Sequence, residues 1–185
     1  VRKRYGASGG YVLHFSSGDP RDNTVTALRA FSLANISKHI KIILVGNGYL
    51  DQDYFAKMIS CMELKERVIF VGYVSESDLV DLYQAADIYM DPSLYEGFGL
   101  QVLEAMSCGA PVLCSNTTSL AEITGDAAFT YKPTDIRGFA DGIEYLISNT
   151  AQAELMRDTG ILHASKYSWI KTVEQLVTLC EHAID

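Results

Sequence analysis

Two carboxylates with seven residues between them, Glu96 and Glu104, stand on either side of a glycine-flanked turn in the segment DPSLYEGFGLQVLEAMSCGAPVLCSN (91–116). An apolar run ends at Met90, Pro92 and Gly97 break it, and Leu100, Val102, Leu103 and Met106 then recur at helical spacing until Gly109 and Pro111 stop the helix. The order is strand, turn, short helix. A parallel α/β sheet brings such a turn out at the carboxyl edge of its strands, where free N–H groups at the helix start attract an anion. Glu96 then lies in the mouth of the site and Glu104 more than a turn inside the helix. A carboxylate in that mouth repels a bare phosphate, so its partner is a neutral, hydroxyl-rich group carried beside one. A sugar joined to a nucleoside diphosphate fits.

Those residues need a frame. Continuous apolar runs at Tyr11–Ser16, Lys41–Val45, Val68–Val71, Asp87–Met90, Pro111–Ser115 and Ala127–Tyr131 read as strands. Helices begin near Asn23, Asp51, Ser75, Gly99, Leu120, Asp135, Gln152 and Ser168. The alternation predicts an α/β fold, a Rossmann-like parallel sheet of about six strands with helices on both faces. Residues 1–10 are basic and then glycine-rich, as in a hinge or a cut end, and 11–185 read as a single domain. The last helix, with Trp169, Val173, Leu176, Val177 and Cys180 on one side, is expected to pack on that domain.

The 185 residues, 48% of them apolar, suffice for a core without disulfides or metal. Cys61, Cys108, Cys114 and Cys180 lack metal-ligand spacing and read as buried, reduced thiols. A net charge of −8 with no basic stripe excludes a nucleic-acid surface. No apolar run is long enough to span a bilayer, and no signal peptide opens the chain, so the expected location is the cytoplasm. Peripheral membrane attachment through a missing domain stays open.

The segment 91–116 resembles the signature of the family-4 retaining glycosyltransferases, whose GT-B fold sets two Rossmann-like domains face to face. The resemblance continues through IKIILVGNG (40–48), RVIFVGYVSESDLVDLYQAADIYMDPS (67–93), LAEITGDAAFTYKPTD (120–135) and KYSWIKTVEQ (166–175), in the order of that family's C-terminal, donor-binding half. It implies that the substrate is a nucleoside diphosphate sugar, that no cofactor or metal is needed, and that an N-terminal acceptor-binding domain lies outside this sequence. That domain is expected in the full-length chain or in a partner subunit, and this half alone is expected to be inactive. In relatives the last helix returns towards that other domain.

By resemblance Glu104 accepts hydrogen bonds from both ribose hydroxyls and Glu96 contacts the transferred sugar. The backbone N–H groups of Phe98, Gly99 and Leu100, freed by Gly97 and Gly99, meet the diphosphate. Backbone groups at Val74 read the base with Leu79 beside it, and Gly48 belongs to a βα turn near the donor. Each has a plainer reading: Glu104 as a surface charge, Glu96 as a helix-dipole partner, the glycines as turn formers. His14 reads as a satisfied core histidine. Asp51, where a third glycine should fall after Gly46-Asn47-Gly48, argues against a nicotinamide-binding Rossmann enzyme.

One departure stands out. Aligning HFSSGDPRDN (14–23) with the family puts Ser17 where relatives carry an arginine and Asp22 where they carry a lysine, both cations that reach the donor phosphates. Arg21 could substitute, its planar fork suiting phosphate oxygens, and is the expected catalytic cation beside Glu96. Alternatively Asp22 or Asn23 caps the helix and Arg21 faces solvent. The alternative function is a non-catalytic, glycosyltransferase-like partner subunit.

Overall fold

The computed structural model describes residues 1–46 and 52–184. Six strands form one sheet: β1 (Tyr11–Phe15), β2 (Lys41–Val45), β3 (Val68–Val71), β4 (Ile88–Asp91), β5 (Val112–Ser115) and β6 (Phe129–Tyr131). All neighbours pair in parallel, in the order β3-β2-β1-β4-β5-β6. Among the described residues eight α-helices connect and flank the strands: α1 (Thr24–Leu33), α2 (Gln52–Cys61), α3 (Glu76–Ala85), α4 (Leu100–Ser107), α5 (Thr118–Thr124), α6 (Ile136–Ser148), α7 (Thr150–Ala164) and α8 (Trp169–Ile184). The expected α/β class and its parallel sheet are what the chain forms.

Strand periodicity divides the interior into two cores. Tyr11, Leu13, Ile43, Val45 and Tyr89 face one side, against Leu82 and Tyr83 of α3, Val102 and Met106 of α4, and Leu120 and Ile123 of α5. Val12, Ile42, Leu44, Ile88 and Met90 face the other, against Leu28 and Phe31 of α1 and Phe139 and Ile143 of α6. Because both faces are covered, the central strands carry no polar alternation, which is why they read as continuous apolar runs. The order of the strands reverses between β1 and β4. Loops leaving those two neighbours diverge to opposite faces and open a crevice at their carboxyl ends.

Three expectations are corrected, for α4, for the cysteines and for α8. Leu100 is 45% exposed, and the buried stripe of α4 is Val102, Leu103, Ala105 and Met106. Cys114 is buried and Cys108 half-buried, whereas Cys61 and Cys180 are exposed. From Trp169 to His182 every residue of α8 is exposed, including Trp169, Val173, Leu176 and Val177, so its apolar side does not pack on this domain. Residues 1–10 are tied to α3 and β4: Arg2 pairs with Asp87 at 2.6 Å, Arg4 with Asp78 at 2.5 Å, and Ala7 is buried.

His14 is the satisfied core histidine expected. Its Nδ1 meets the Met90 carbonyl oxygen at 3.0 Å and its Nε2 the Thr24 hydroxyl at 3.0 Å. Burial lowers its pKa to about 4 from an ordinary 6.5. The neutral ring is the one the fold accommodates, so stability is intact above pH 6.5 and falls as the pH drops from 6.5 towards 4. The expected loss is about 3 kcal/mol. Chemical denaturation at pH 7 and pH 4 measures it, and the His14 ring resonances should stay those of the neutral form down to about pH 5.

Candidate active site

Residues that follow β1, β3 and β4 converge on the crevice. After β4, Asp91 closes the strand with its buried carboxyl accepting from the Ser93 N–H at 3.2 Å and the Ser93 hydroxyl at 2.5 Å. Ser115, at the end of β5, donates to the Ser93 carbonyl at 2.7 Å. The chain is thereby bent away from the sheet before Glu96. Glu96 is held through its backbone: its N–H donates to Thr118 Oγ1 at 3.2 Å, and the Ser119 hydroxyl donates to its carbonyl at 2.9 Å. Thr118 adopts φ +50°, a strained conformation for a β-branched residue, and this is what turns its hydroxyl towards Glu96.

Gly99 ends the turn at φ +95° and starts α4. A Cβ there would meet Leu120 Cδ2 at 2.5 Å and Ile123 Cδ1 at 2.8 Å, so both the backbone conformation and the approach of α5 demand glycine. Gly97 has open space around it. The Val102 and Leu103 N–H groups donate to the Gly99 carbonyl at 3.1 and 3.4 Å, which leaves those of Leu100 and Gln101 at the helix start without an acceptor inside the helix. Glu104 lies on the fifth residue of α4, exposed, with Oε2 accepting from the Tyr83 hydroxyl at 3.1 Å.

Glu96, Val74, Leu79, Phe98, Leu100 and Glu104 of the expected site line two adjoining clefts that share Leu79, and Gly97 and Gly99 line neither. One, of about 330 Å³, is bordered by Ser17, Asp22, Gly46, Val74, Leu79, Asp91 and Glu96. The other, of about 480 Å³, is bordered by Leu79, Tyr83, Phe98, Leu100 and Glu104. Glu96 and Glu104 thus stand at the mouths of neighbouring clefts with the 97–100 turn between them. Arg21 borders neither cleft. Gly48 lies outside the described residues. Among the described residues no cluster of His, Cys, Asp and Glu is arranged to hold a metal ion.

The floor of the smaller cleft is acidic. Burial raises the Asp91 pKa first, and the Asp22 charge adds to it. Glu96 is raised as well, by burial and then by Asp91, with Asp22 contributing and Arg21 opposing. Ser17 and Asp22 are bonded to one another. Asp22 Oδ2 accepts from both the Ser17 N–H and the Ser17 hydroxyl, each at 2.6 Å. Neither Asp22 nor Asn23 caps α1 with its side chain: Asn23 instead donates to the Pro92 and Pro133 carbonyls at 2.8 and 2.9 Å. Arg21 forks onto Asp19, with Nη2 at 2.7 Å and Nε at 3.0 Å from Oδ2.

Tyr83, Thr118 and the Ser17–Asp22 bond escaped the sequence reading. Tyr83 and Glu104 are brought together by the packing of α3 on α4, and no local pattern marks a threonine at positive φ. The Ser17–Asp22 pair was legible only as a double departure from a family pattern.

A doubly wound parallel sheet with its crevice at the switch point, a glycine-started helix beyond β4 and carboxylates on either side of that helix start define a Rossmann-like α/β domain. Residues 7–163 match the family model for the glycosyl transferases group 1, and the chain belongs to that family. It is 34% identical over 170 residues to an O-antigen chain mannosyltransferase B of Escherichia coli, covering 91% of this chain and 45% of the relative. It is 38% identical over 136 residues to a D-inositol 3-phosphate glycosyltransferase of Corynebacterium urealyticum, covering 72% and 32% of the two chains. Among solved structures, Anabaena HepE in complex with UDP and glucose superposes with a TM-score of 0.86 at 25% identity, over 98% of this chain and 51% of that one. The sucrose-phosphate synthase of Thermosynechococcus elongatus shares the fold with a TM-score of 0.87 at 24% identity, over 99% and 47% of the two chains. The chain spans about half the length, or less, of these relatives. No helix among the described residues is long and apolar enough to cross a membrane.

Proposed function

We propose that this chain is the donor-binding half of a retaining glycosyltransferase that moves a sugar from a nucleoside diphosphate sugar to an acceptor. The observation that carries the reading is the placement of Glu96 and Glu104 on either side of the glycine-started helix at the carboxyl edge of the sheet. In this reading Glu104 accepts from the ribose hydroxyls, its two oxygens suiting a vicinal diol. The N–H groups of Phe98, Gly99 and Leu100 meet the diphosphate. Glu96 orients the sugar, and backbone groups at Val74, with Leu79 beside them, meet the base. The HepE complex with UDP and glucose supports such a ligand, since its matching domain has the same fold.

Transfer with retained configuration needs the acceptor on the same face as the departing diphosphate, which can take the acceptor's proton as it leaves. Arg21 supplies positive charge there only if it exchanges Asp19 for the phosphates. The acceptor belongs to a second domain, in the full-length chain or a partner subunit. The exposed apolar residues of α8 fit a helix that such a domain covers. Calorimetry with uridine, guanosine and adenosine diphosphates tests the binding half of the proposal, which predicts heat with at least one of them. A chain with no second domain present should bind but transfer no sugar. Silence with all three at millimolar concentration contradicts the reading.

The mutual bond of Ser17 and Asp22 favours a second reading, a non-catalytic partner subunit. Two hydrogen bonds tie Asp22 to Ser17, so Asp22→Lys alone frees the loop while adding a cation. Ser17→Arg with Asp22→Lys restores both charges without stranding either residue. The double variant should therefore bind a diphosphate about fivefold more tightly, and the gain should shrink as salt rises past the point where screening acts within about 10 Å. Binding titrations at low and high salt decide it. An unchanged affinity in the double variant assigns phosphate recognition to backbone N–H groups alone and favours the partner subunit.

A further inference from the structure

Glu104 is a long, exposed side chain with three torsions to fix, and holding it still against solvent costs entropy. The structure contains a device that does so. Tyr83, on α3, is 1% exposed and locked among aromatic rings, stacked on Phe15 at 5.9 Å and edge-on to Tyr89 at 5.5 Å. Phe15 and Tyr89 close the triangle at 6.1 Å. Rings packed this way allow the phenol one orientation, and its hydroxyl emerges from the core at Glu104 Oε2, 3.1 Å away. Burial and the Glu104 charge push the phenol's pKa far above its ordinary value, so it keeps its proton and donates. Glu104 Oε1 has no donor among the described residues and borders the larger cleft.

We propose that Tyr83 is the positioning residue for ribose recognition: it holds Oε2 of Glu104, which keeps a second lone pair for the ribose 3′-hydroxyl, so that the carboxylate presents Oε1 in a fixed plane to the 2′-hydroxyl. The inference rests on the nucleotide reading of the site and deepens it. It makes the domain selective for ribonucleotides over their 2′-deoxy counterparts, with the selectivity set by a core tyrosine that touches no ligand. A tyrosine that merely fills the core and parks its hydroxyl on a convenient carboxylate adds nothing to the selectivity that Glu104 gives.

The two roles part in Tyr83→Phe. The ring packing is retained, and Glu104, being exposed, can take a water in place of the lost hydroxyl, so the variant should fold. Titrations of the intact protein and the variant with UDP, GDP and ADP, and with their 2′-deoxy counterparts, read the outcome. The expected result is a loss of about five- to tenfold for the ribonucleotide that binds and a smaller loss for its 2′-deoxy form, which keeps only the 3′-hydroxyl bond to Glu104. In a Glu104→Ala background the same substitution should change nothing. Equal losses for both sugars, or an unchanged preference, overturn the positioning role. If the wild type binds these nucleotides but does not distinguish ribose from deoxyribose, nucleotide binding stands and the ribose roles of Glu104 and Tyr83 fall. If it binds none of them, the nucleotide reading fails and this inference with it.

Discussion

Replacing Glu104 by alanine should weaken nucleoside diphosphate binding by about 1.5–3 kcal/mol, the range for hydrogen bonds to a charged group. The effect is large because a vicinal diol left without its acceptor loses two bonds while its hydroxyls stay partly desolvated in the cleft. The fold should survive. Glu104 is exposed on α4, and its one side-chain bond among the described residues is to the Tyr83 hydroxyl at the edge of the cleft. Calorimetry on a variant shown to be folded checks the expectation, and unchanged affinity returns Glu104 to the role of a surface charge.

Gly99→Ala should destabilise the domain by about 2–4 kcal/mol and abolish nucleotide binding at concentrations that saturate the wild type. Part of the effect is conformational, since φ +95° is a strained backbone for any residue with a Cβ. The rest is overpacking. The new methyl would press on Leu120 and Ile123, which are buried in the core and have little room to yield. The strain falls on the buried side chains of α5, the helix that also carries Thr118 and Ser119, which hold the Glu96 backbone. Denaturant titration and binding measured together test this coupling. The neighbouring Gly97→Ala, with open space around it, should leave stability near that of the wild type.

The strand and helix order of this chain was legible because its signals are local. The runs at Lys41–Val45 and Val68–Val71 coincide with β2 and β3, and Ser75 caps α3 by accepting from the Asp78 N–H at 3.2 Å. The acidic pair was legible for the same reason: a strand, a glycine turn and a helix start are neighbours in sequence, so the turn that joins them can be read without knowing the fold. Helix starts slipped where caps compete. Thr117 opens α5 before Leu120, and Asn149 caps α7 at the Gln152 N–H.

What the sequence left hidden depends on which elements meet. A period of 3.6 marks an apolar face on α8 but cannot say what covers it, and here the face stands exposed. The same limit misplaced Leu100, which has the spacing of a core residue and borders a cleft instead, and Cys61 and Cys180, which lie on helices without being buried. Asp22 shows the limit at its sharpest. As a charge beside a diphosphate it reads as repulsive, yet its carboxylate is engaged by Ser17, one loop turn away, and only the fold of that loop reveals it.

The claim that a nucleoside diphosphate binds across the start of α4 is tested most directly by amide chemical-shift mapping. Uridine, guanosine and adenosine diphosphates would each be titrated into the isotopically labelled protein. The account predicts that at least one of them shifts the amides of Phe98, Gly99, Leu100 and Gln101 together with those around Val74 and Glu104, saturably and with one affinity. The amides of Gly9, Ile147 and Ala153, which border a cleft away from the site, should not respond. Shifts confined to that other cleft, or no shifts with any of the three at millimolar concentration, would contradict it.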